Sequence, residues 1–246
     1  MLEHTGLNKL DGFGPIYVIN LKSRTDRLNY IEGQLKENDL LNYKVIEATH
    51  GETADWSNLV FERDSLSLSN SELGATVSHL NTIKEWFETS DSEYAIIIED
   101  DLSFETVKYW NFTFKEFVDS IKKKYDILQF CIIHNFNVNT SLHIKEHRDW
   151  SAACYLITRQ RAKQLIDKYF IDDKYVLPKN YTALADFIIY GDAKCYSKPL
   201  FTYSVDFETS ITAPNNTKED KENPEGIHYK SRKDVISYWE HYNKEI

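Results

Sequence analysis

Residues 94–98 read Tyr-Ala-Ile-Ile-Ile, and three acids, Glu99, Asp100 and Asp101, follow without a break. A run this apolar, with no polar alternation, is a strand covered on both faces, and covering both faces takes helices above and below a sheet. The feature directs the chain towards a layered α/β fold. The carboxylates come at the end of the strand, and in open α/β sheets ligands bind outside the carboxyl ends of the strands. Side chains alternate along a strand, so Glu99 and Asp101 are expected on one side and Asp100 on the other. Two oxygen ligands converging at such a tip suit a hard divalent cation, Mn²⁺ or Mg²⁺. The alternative is a solvated acidic turn, or caps for a following helix.

The flanking pattern agrees with a layered fold. Residues 16–21 read as a buried strand and residues 23–38 as a helix with Leu28, Ile31 and Leu35 on one face and Ser23 as its cap. Residues 43–48 read as a second strand, giving the β-α-β opening of a parallel sheet. Residues 50–70 are polar and irregular and read as a loop. Ser69 and Glu72 have capping-box spacing and introduce a helix to Thr89, with Leu73, Val77, Leu80 and Phe87 at the helical period. A helix over 112–124, a strand over 126–133, a strand over 152–157 and a helix capped by Thr158 follow. Residues 184–190 fit a short helix or a strand, and 193–203 hold strand-like pieces. The predicted organisation is a polar extension over 1–13, one domain over 14–211, a flexible loop or lid over 212–230 and a C-terminal helix over 231–246 that Ser231 caps.

Charge narrows the function. A formal net charge of −10 over 246 residues excludes a general nucleic-acid surface, which needs a basic face. No stretch approaches the roughly 20 apolar residues of a membrane span. Residues 1–11 lack the apolar centre of an export signal. Cys131, Cys154 and Cys195 are odd in number, far apart and set in apolar stretches, which predicts buried thiols and neither disulfides nor zinc. Together these features predict a cytoplasmic protein. Oligomeric state leaves no trace in the sequence.

Three blocks in order carry a resemblance. Ile19-Asn20-Leu21 with Arg24 and Arg27 resembles the opening I-N-L-x-x-R-x-x-R of glycosyltransferase family 25. Residues 72–79 resemble its E-x-G-C-x-x-S-H block, with Ala75 at the Cys position, and Ile98-Glu99-Asp100-Asp101 resembles its acidic metal-site block. Residues 152–162, Ala185-Asp186 and Thr209-Ser210-Ile211 are similar to weaker later blocks, so the resemblance spans roughly residues 14–212. The family includes bacterial lipopolysaccharide galactosyltransferases and relatives of the procollagen galactosyltransferases. The resemblance implies a GT-A-like, Rossmann-type α/β sandwich with a mixed, mostly parallel central sheet flanked by helices. It implies transfer of a hexose from a nucleoside diphosphate sugar, UDP-galactose or UDP-glucose favoured, to a hydroxyl of a glycan or other acceptor. It also implies an inverting reaction.

Each candidate residue has a structural alternative. Asp101 is the expected direct metal ligand, and Glu99 shares the metal or holds ribose hydroxyls. Asp100 orients loop amides or simply caps. Arg24 and Arg27 follow the first strand, where guanidinium groups can meet a nucleotide or its phosphates. The alternative is a solvated helix face on which they pair with Asp26 or Glu32. Asn20 can bond a base edge. Ser78 and His79 contact the donor, or His79 orders the acidic loop, whereas the capping box alone explains Glu72. Asp186, set among Leu184, Ala185, Phe187 and Ile188, is the candidate catalytic base, since desolvation raises carboxylate basicity. Its alternative is a helix cap or a buried salt bridge, and Asp206 and Glu208 are the next candidates. His228 completes the metal shell from the lid, or is a surface residue. His134, His143 and His147 lack metal-ligand spacing and read as loop residues near the acceptor. Acceptor contacts are expected from the loops at 50–70 and 135–149. A sugar nucleotidyltransferase would carry a Gly-rich loop after the first strand, and Gly12 and Gly14 precede it. A non-catalytic nucleotide-sugar or glycan-binding protein of the same fold is the other reading, and the intact acidic triplet argues against it.

Overall fold

In the computed structural model, which describes residues 8–207, 223 and 226–242, the apolar run lies inside a seven-stranded sheet. The elements in chain order are β1 (Ile16–Asn20), α1 (Thr25–Glu37), β2 (Tyr43–Glu47), α2 (Trp56–Leu59), α3 (Asn70–Thr89), β3 (Tyr94–Glu99) and β4 (Leu102–Ser103). Then come α4 (Phe114–Ser120), β5 (Ile127–Gln129), β6 (His143–Ile144), β7 (Cys154–Thr158), α5 (Arg159–Tyr169), β8 (Phe170–Ile171) and β9 (Lys174–Tyr175). The last are α6 (Ala185–Tyr190), β10 (Cys195–Ser197), β11 (Thr202–Tyr203) and α7 (Ile227–Tyr242). The sheet order is β2-β1-β3-β7-β5-β10-β6. β1 runs parallel to β2 and β3, and β10 to β5, while β7 opposes β3 and β5 and β6 opposes β10. Five of the seven strands therefore share one direction. This is the mixed, mostly parallel α/β sandwich that the family resemblance implies.

Alternation along the strands sorts the core into two layers. Ile16, Val18, Ile96 and Ile98 join Ile31 and Leu35 of α1, Phe114 of α4 and Trp239 of α7 on one face. Tyr17, Ile19, Ala95 and Ile97 join Leu73, Val77 and Ile83 of α3 and Leu165 of α5 on the other. Ala95 to Ile98 are wholly inaccessible to solvent. Each isoleucine buried this way contributes at most about 1.5–3 kcal/mol, taken against a fully extended unfolded chain. The three cysteines are free and buried, as expected.

The capping box at Ser69 and Glu72 forms, with Glu72 N–H donating to Ser69 Oγ and Ser69 N–H to the Glu72 carboxylate. Trp86, rather than Phe87, completes the buried stripe of α3, and Phe87 is half-buried. Ser23 is not a cap, because the cap position of α1 falls to Arg24 and no side chain satisfies it. The loop at 50–70 is less irregular than expected, since it holds α2 and a 3-10 turn over Arg63–Ser65. The helix expected over 112–124 stops at Ser120, whose hydroxyl donates back to the Phe117 carbonyl and competes with the helical ladder. The strand expected over 126–133 pairs only at β5. Beyond it the Phe130 carbonyl accepts from Leu200 and Phe201 N–H, so the buried backbone is satisfied without a strand.

Ser231 lies inside α7, not at its start. Its Oγ accepts from His134 N–H at 2.9 Å and donates to the His134 carbonyl at 3.0 Å, a buried tie that a terminal cap could not make. Of the expected extension, residues 1–7 lie outside the described residues, while Leu10 and Phe13 are buried in the core. Of the expected lid, residues 212–222, 224 and 225 also lie outside them, and 227–230 form the first turn of α7. Among the described residues no helix is long and apolar enough to cross a membrane.

Candidate active site

β1, β2 and β3 end side by side on one edge, and the chain leaves β1 for β2 on one flank and returns as β3 on the other. Such a reversal opens a crevice at the strand ends. The acidic triplet sits there. The strand stops at Glu99 and the chain turns at Asp100, so strict alternation ends with the strand. Asp100 and Asp101 both reach Arg27, each with a carboxylate oxygen 2.6 Å from the same guanidinium nitrogen. Arg27 comes from α1 and is only 5% exposed. Burial works against its charge, and Asp101, Asp100 and Glu99 outweigh that and raise its pKa. Asn20, at the end of β1, donates to Asp100 at 2.6 Å and to the Arg24 carbonyl at 3.1 Å. Burial nevertheless pushes the Asp100 carboxyl up to about 7, helped by the negative charge of Asp101 and Glu99 and opposed by Arg27 and Asn20.

Glu99 is held from the other face of the sheet. His79 Nε2 lies 3.1 Å from Glu99 Oε1, and His79 Nδ1 lies 3.1 Å from the Tyr155 hydroxyl. A carboxylate only accepts, so in the neutral ring Nε2–H donates to Glu99 and Nδ1 accepts from Tyr155 O–H. Glu99 thus sets the tautomer, and Tyr155, donating to Nδ1, holds the ring in the orientation that reaches Glu99. Helical spacing on α3 aims His79 at the strand, and the register Ile97↔Tyr155 puts Tyr155 beneath it. Ser78, one residue earlier, accepts from Thr49 N–H at 2.8 Å and donates to the Gly74 carbonyl at 2.6 Å. It ties the loop after β2 to α3. Gly74 makes that approach possible, since a Cβ there would lie 2.7 Å from the Thr49 carbonyl oxygen.

Two cavities meet at this wall. One, of about 340 Å³, is lined by His79, Glu99, Asp101, Trp150, Asp186 and His228 among others. The second, of about 330 Å³, is lined by Ile19, Leu21, Arg27, Ala48, Gly51 and Asp100, and by Ser78 and Ser71 of α3. Ala75, His79, Glu99 and Asp101 border both. Glu99 and Asp101 thus share a cavity that Asp100 does not reach, as alternation suggested, although Asp101 also shares Arg27 with Asp100.

Asp186 stands in the first turn of α6. Its Oδ2 accepts from Ser151 N–H at 3.3 Å, while Oδ1 is closed off from solvent and has no hydrogen-bond partner. Burial raises its pKa against the pull of Lys145 and the Ser151 N–H. His228, in the first turn of α7, is fixed at its carbonyl by the Tyr203 hydroxyl at 2.6 Å, and its ring meets Tyr203 edge-on.

Other candidates lie elsewhere. Arg24 pairs with Asp26 on α1, at 2.8 Å, and borders neither cavity. Asp206 is exposed and bonded to Ser204, and Glu208 lies outside the described residues. His143 pairs with buried Asp149 at 3.0 Å. Among the described residues no three His, Cys, Asp or Glu side chains converge as a ready-made metal cage. Sequence reasoning did not single out Tyr155, Trp150 or Ser151. Tyr155 looks like any apolar strand residue until the pairing register is known.

The family model of glycosyltransferase family 25 (LPS biosynthesis protein) matches residues 13–178. A protein of Acanthamoeba polyphaga mimivirus, provisionally named as a glycosyltransferase, is 31% identical over 129 residues, 50% of this chain and 38% of that protein. Procollagen galactosyltransferase 2 of Mus musculus is 33% identical over 105 residues, 38% of this chain and 16% of the enzyme. The matched stretches thus span less than half the length of these relatives. The crystal structure of HddC from Yersinia pseudotuberculosis is similar at 13% identity and a TM-score of 0.34, over 80% of this chain and 76% of that one.

Proposed function

Since this chain belongs to glycosyltransferase family 25, we propose that it moves a hexose, galactose or glucose, from a UDP sugar to a hydroxyl of a glycan acceptor, with Mn²⁺ or Mg²⁺ bound at the acidic turn. One observation carries the reading. Two cavities share the wall of His79, Glu99 and Asp101, and Asp186 lines the first of them but not the second. Group transfer needs that layout, with the donor on one side, the acceptor on the other and the reacting carbon between.

The second cavity suits the nucleotide. Ile19, Leu21 and Ala48 offer an apolar wall for a base. Ser71 brings in the first turn of α3, whose N-terminal dipole favours phosphate. Asp101 and Glu99, two hard oxygen donors at one turn, would hold such a divalent cation. The observation behind that fit is the donor set itself, since Glu99 and Asp101 bring carboxylate oxygens to the wall that both cavities share. A bound cation supplies positive charge for the leaving diphosphate. His228 borders the first cavity beside Asp101 and offers a further nitrogen. Arg27 and Asn20 hold the turn, and His79, steadied by Tyr155, orients Glu99. Asp186 takes the proton of the attacking hydroxyl: its Oδ1 lacks a donor, and its burial strengthens it as a base.

The test follows UDP or GDP release from a panel of activated sugars, with Mn²⁺ or with a chelator. Expected are turnover that requires the metal, its loss in Asp101→Ala, and a fall on the order of 10²–10⁴-fold in Asp186→Asn. Full activity in both variants refutes the mechanism. UDP binding with no release by the native chain identifies a binding protein instead.

A further inference from the structure

Asp186 and Trp150 form a partition. On its inner side lies the cavity that reaches the acidic turn, and on its outer side a separate cavity of about 260 Å³. The outer walls include Trp150, Phe187 and Tyr190, and the rim carries Lys145, Glu146 and His147. No rim residue borders either inner cavity. The walls are ordered. Tyr190 donates its hydroxyl to the Ser151 carbonyl at 3.1 Å, and Lys145 Nζ caps its ring at 5.0 Å. The His147 ring stands 6.0 Å from that of Phe187. Aromatic faces edged by a few polar and charged groups are the chemistry that recognises a sugar ring, whose C–H face packs on the aromatic and whose hydroxyls meet the rim. The partition itself holds the unpartnered carboxylate oxygen of Asp186.

From this geometry we infer that the outer cavity is a second acceptor subsite, which seats the sugar next to the one being glycosylated. The inference rests on the reading of Asp186 as the acceptor-side base. It specifies the acceptor as an oligosaccharide of at least two rings. Aromatic faces set against hydroxyl-bonding rim groups favour a sugar ring over a hydroxylated peptide, which is the competing acceptor in the test.

The experiment measures binding by saturation-transfer NMR without donor or metal, and then acceptor kinetics with both. The probes are the methyl glycosides of lactose, cellobiose, maltose and chitobiose, each against the methyl glycoside of its terminal sugar. A peptide containing hydroxylysine is the competitor. At least one disaccharide is expected to bind about ten-fold more tightly than its monosaccharide and to gain similarly in kcat/KM. Phe187→Ala and His147→Ala should each bring that disaccharide-to-monosaccharide ratio towards one. His147 is exposed, so its variant reports on the subsite without disturbing the core. The subsite is overturned if no disaccharide outbinds its monosaccharide, if the ratio survives both substitutions, or if the peptide outcompetes every disaccharide. A binding gain that the variants abolish, in a chain with no donor turnover, supports the subsite and refutes the transferase reading alone.

Discussion

Arg27→Met removes the charge that binds the acidic turn and keeps the length of the side chain. The guanidinium is 5% exposed and lies 2.6 Å from oxygens of both Asp100 and Asp101. At an effective dielectric constant of 20, a pair at 4 Å attracts by about 4 kcal/mol before desolvation is counted. Removing one partner of a buried pair costs about 3–5 kcal/mol, because the remaining charge is left uncompensated. At roughly 2–4 °C per kcal/mol for a chain of this size, Tm should fall by about 6–20 °C at pH 7.5 in metal-free buffer. The loss has a defined pH dependence. Asp100 already has its folded pKa raised to about 7, above the roughly 3.9 of an unfolded aspartate. Its stabilising contribution is therefore complete below about pH 4 and is lost as pH rises through 7. Without Arg27 the folded pKa rises further, so the deficit of the variant should be small near pH 5 and grow towards pH 8. Differential scanning calorimetry at pH 5, 6.5 and 8 with a chelator present measures this. A variant within about 2 °C of the native protein at pH 7.5, or a deficit that does not change with pH, refutes the clamp.

Three further outcomes follow from the packing and charges of the fold. Gly74→Ala should lower Tm, because its Cβ would meet the Thr49 carbonyl oxygen at 2.7 Å, and overpacking of about 1–3 kcal/mol outweighs the gain in helix propensity. Gly33→Ala, in α1 with nothing within 4 Å, should add up to about 1 kcal/mol of stability and raise Tm, and equal shifts from both would contradict the packing argument. His143 has its pKa raised by Asp149, against its own burial, so its contribution is full below about pH 6.5 and fades as pH rises through the folded value. An NMR titration should find the His143 midpoint lower in Asp149→Asn, and an unchanged midpoint would remove the pairing from the account. The acid limb of kcat/KM should lie above the ordinary carboxylate range because burial raises Asp186, and Asp186→Asn should lose that limb; a limb near pH 4 points to another base.

The layers and the crevice were legible because they rest on local periodicities. Alternation of Ile16, Val18 and Tyr17, Ile19 across the two faces, the capping box of α3 and the uninterrupted run in β3 each state their geometry within a few residues. Strand direction was not legible. An apolar strand such as β7 reads the same in either sense, so its reversal between β3 and β5 left no mark. Side-chain partners across the fold were hidden for the same reason. Arg27 and the acidic triplet look like two separate donor-binding blocks in sequence, yet the folded chain joins them into one electrostatic unit, with Asn20 beneath it. Gly74 and Ser78 look like parts of a binding motif, and their visible work is to bring the loop after β2 against α3. If a donor diphosphate and its cation approach this turn, they meet carboxylates that Arg27 already holds. Binding must then exchange part of the Arg27–Asp101 pair for new contacts, while Asp100, itself held by Asn20, keeps the guanidinium in place. On the proposed reading the third acid then has a role of its own: Asp100 stays with the arginine when Asp101 and Glu99 turn to the ligand.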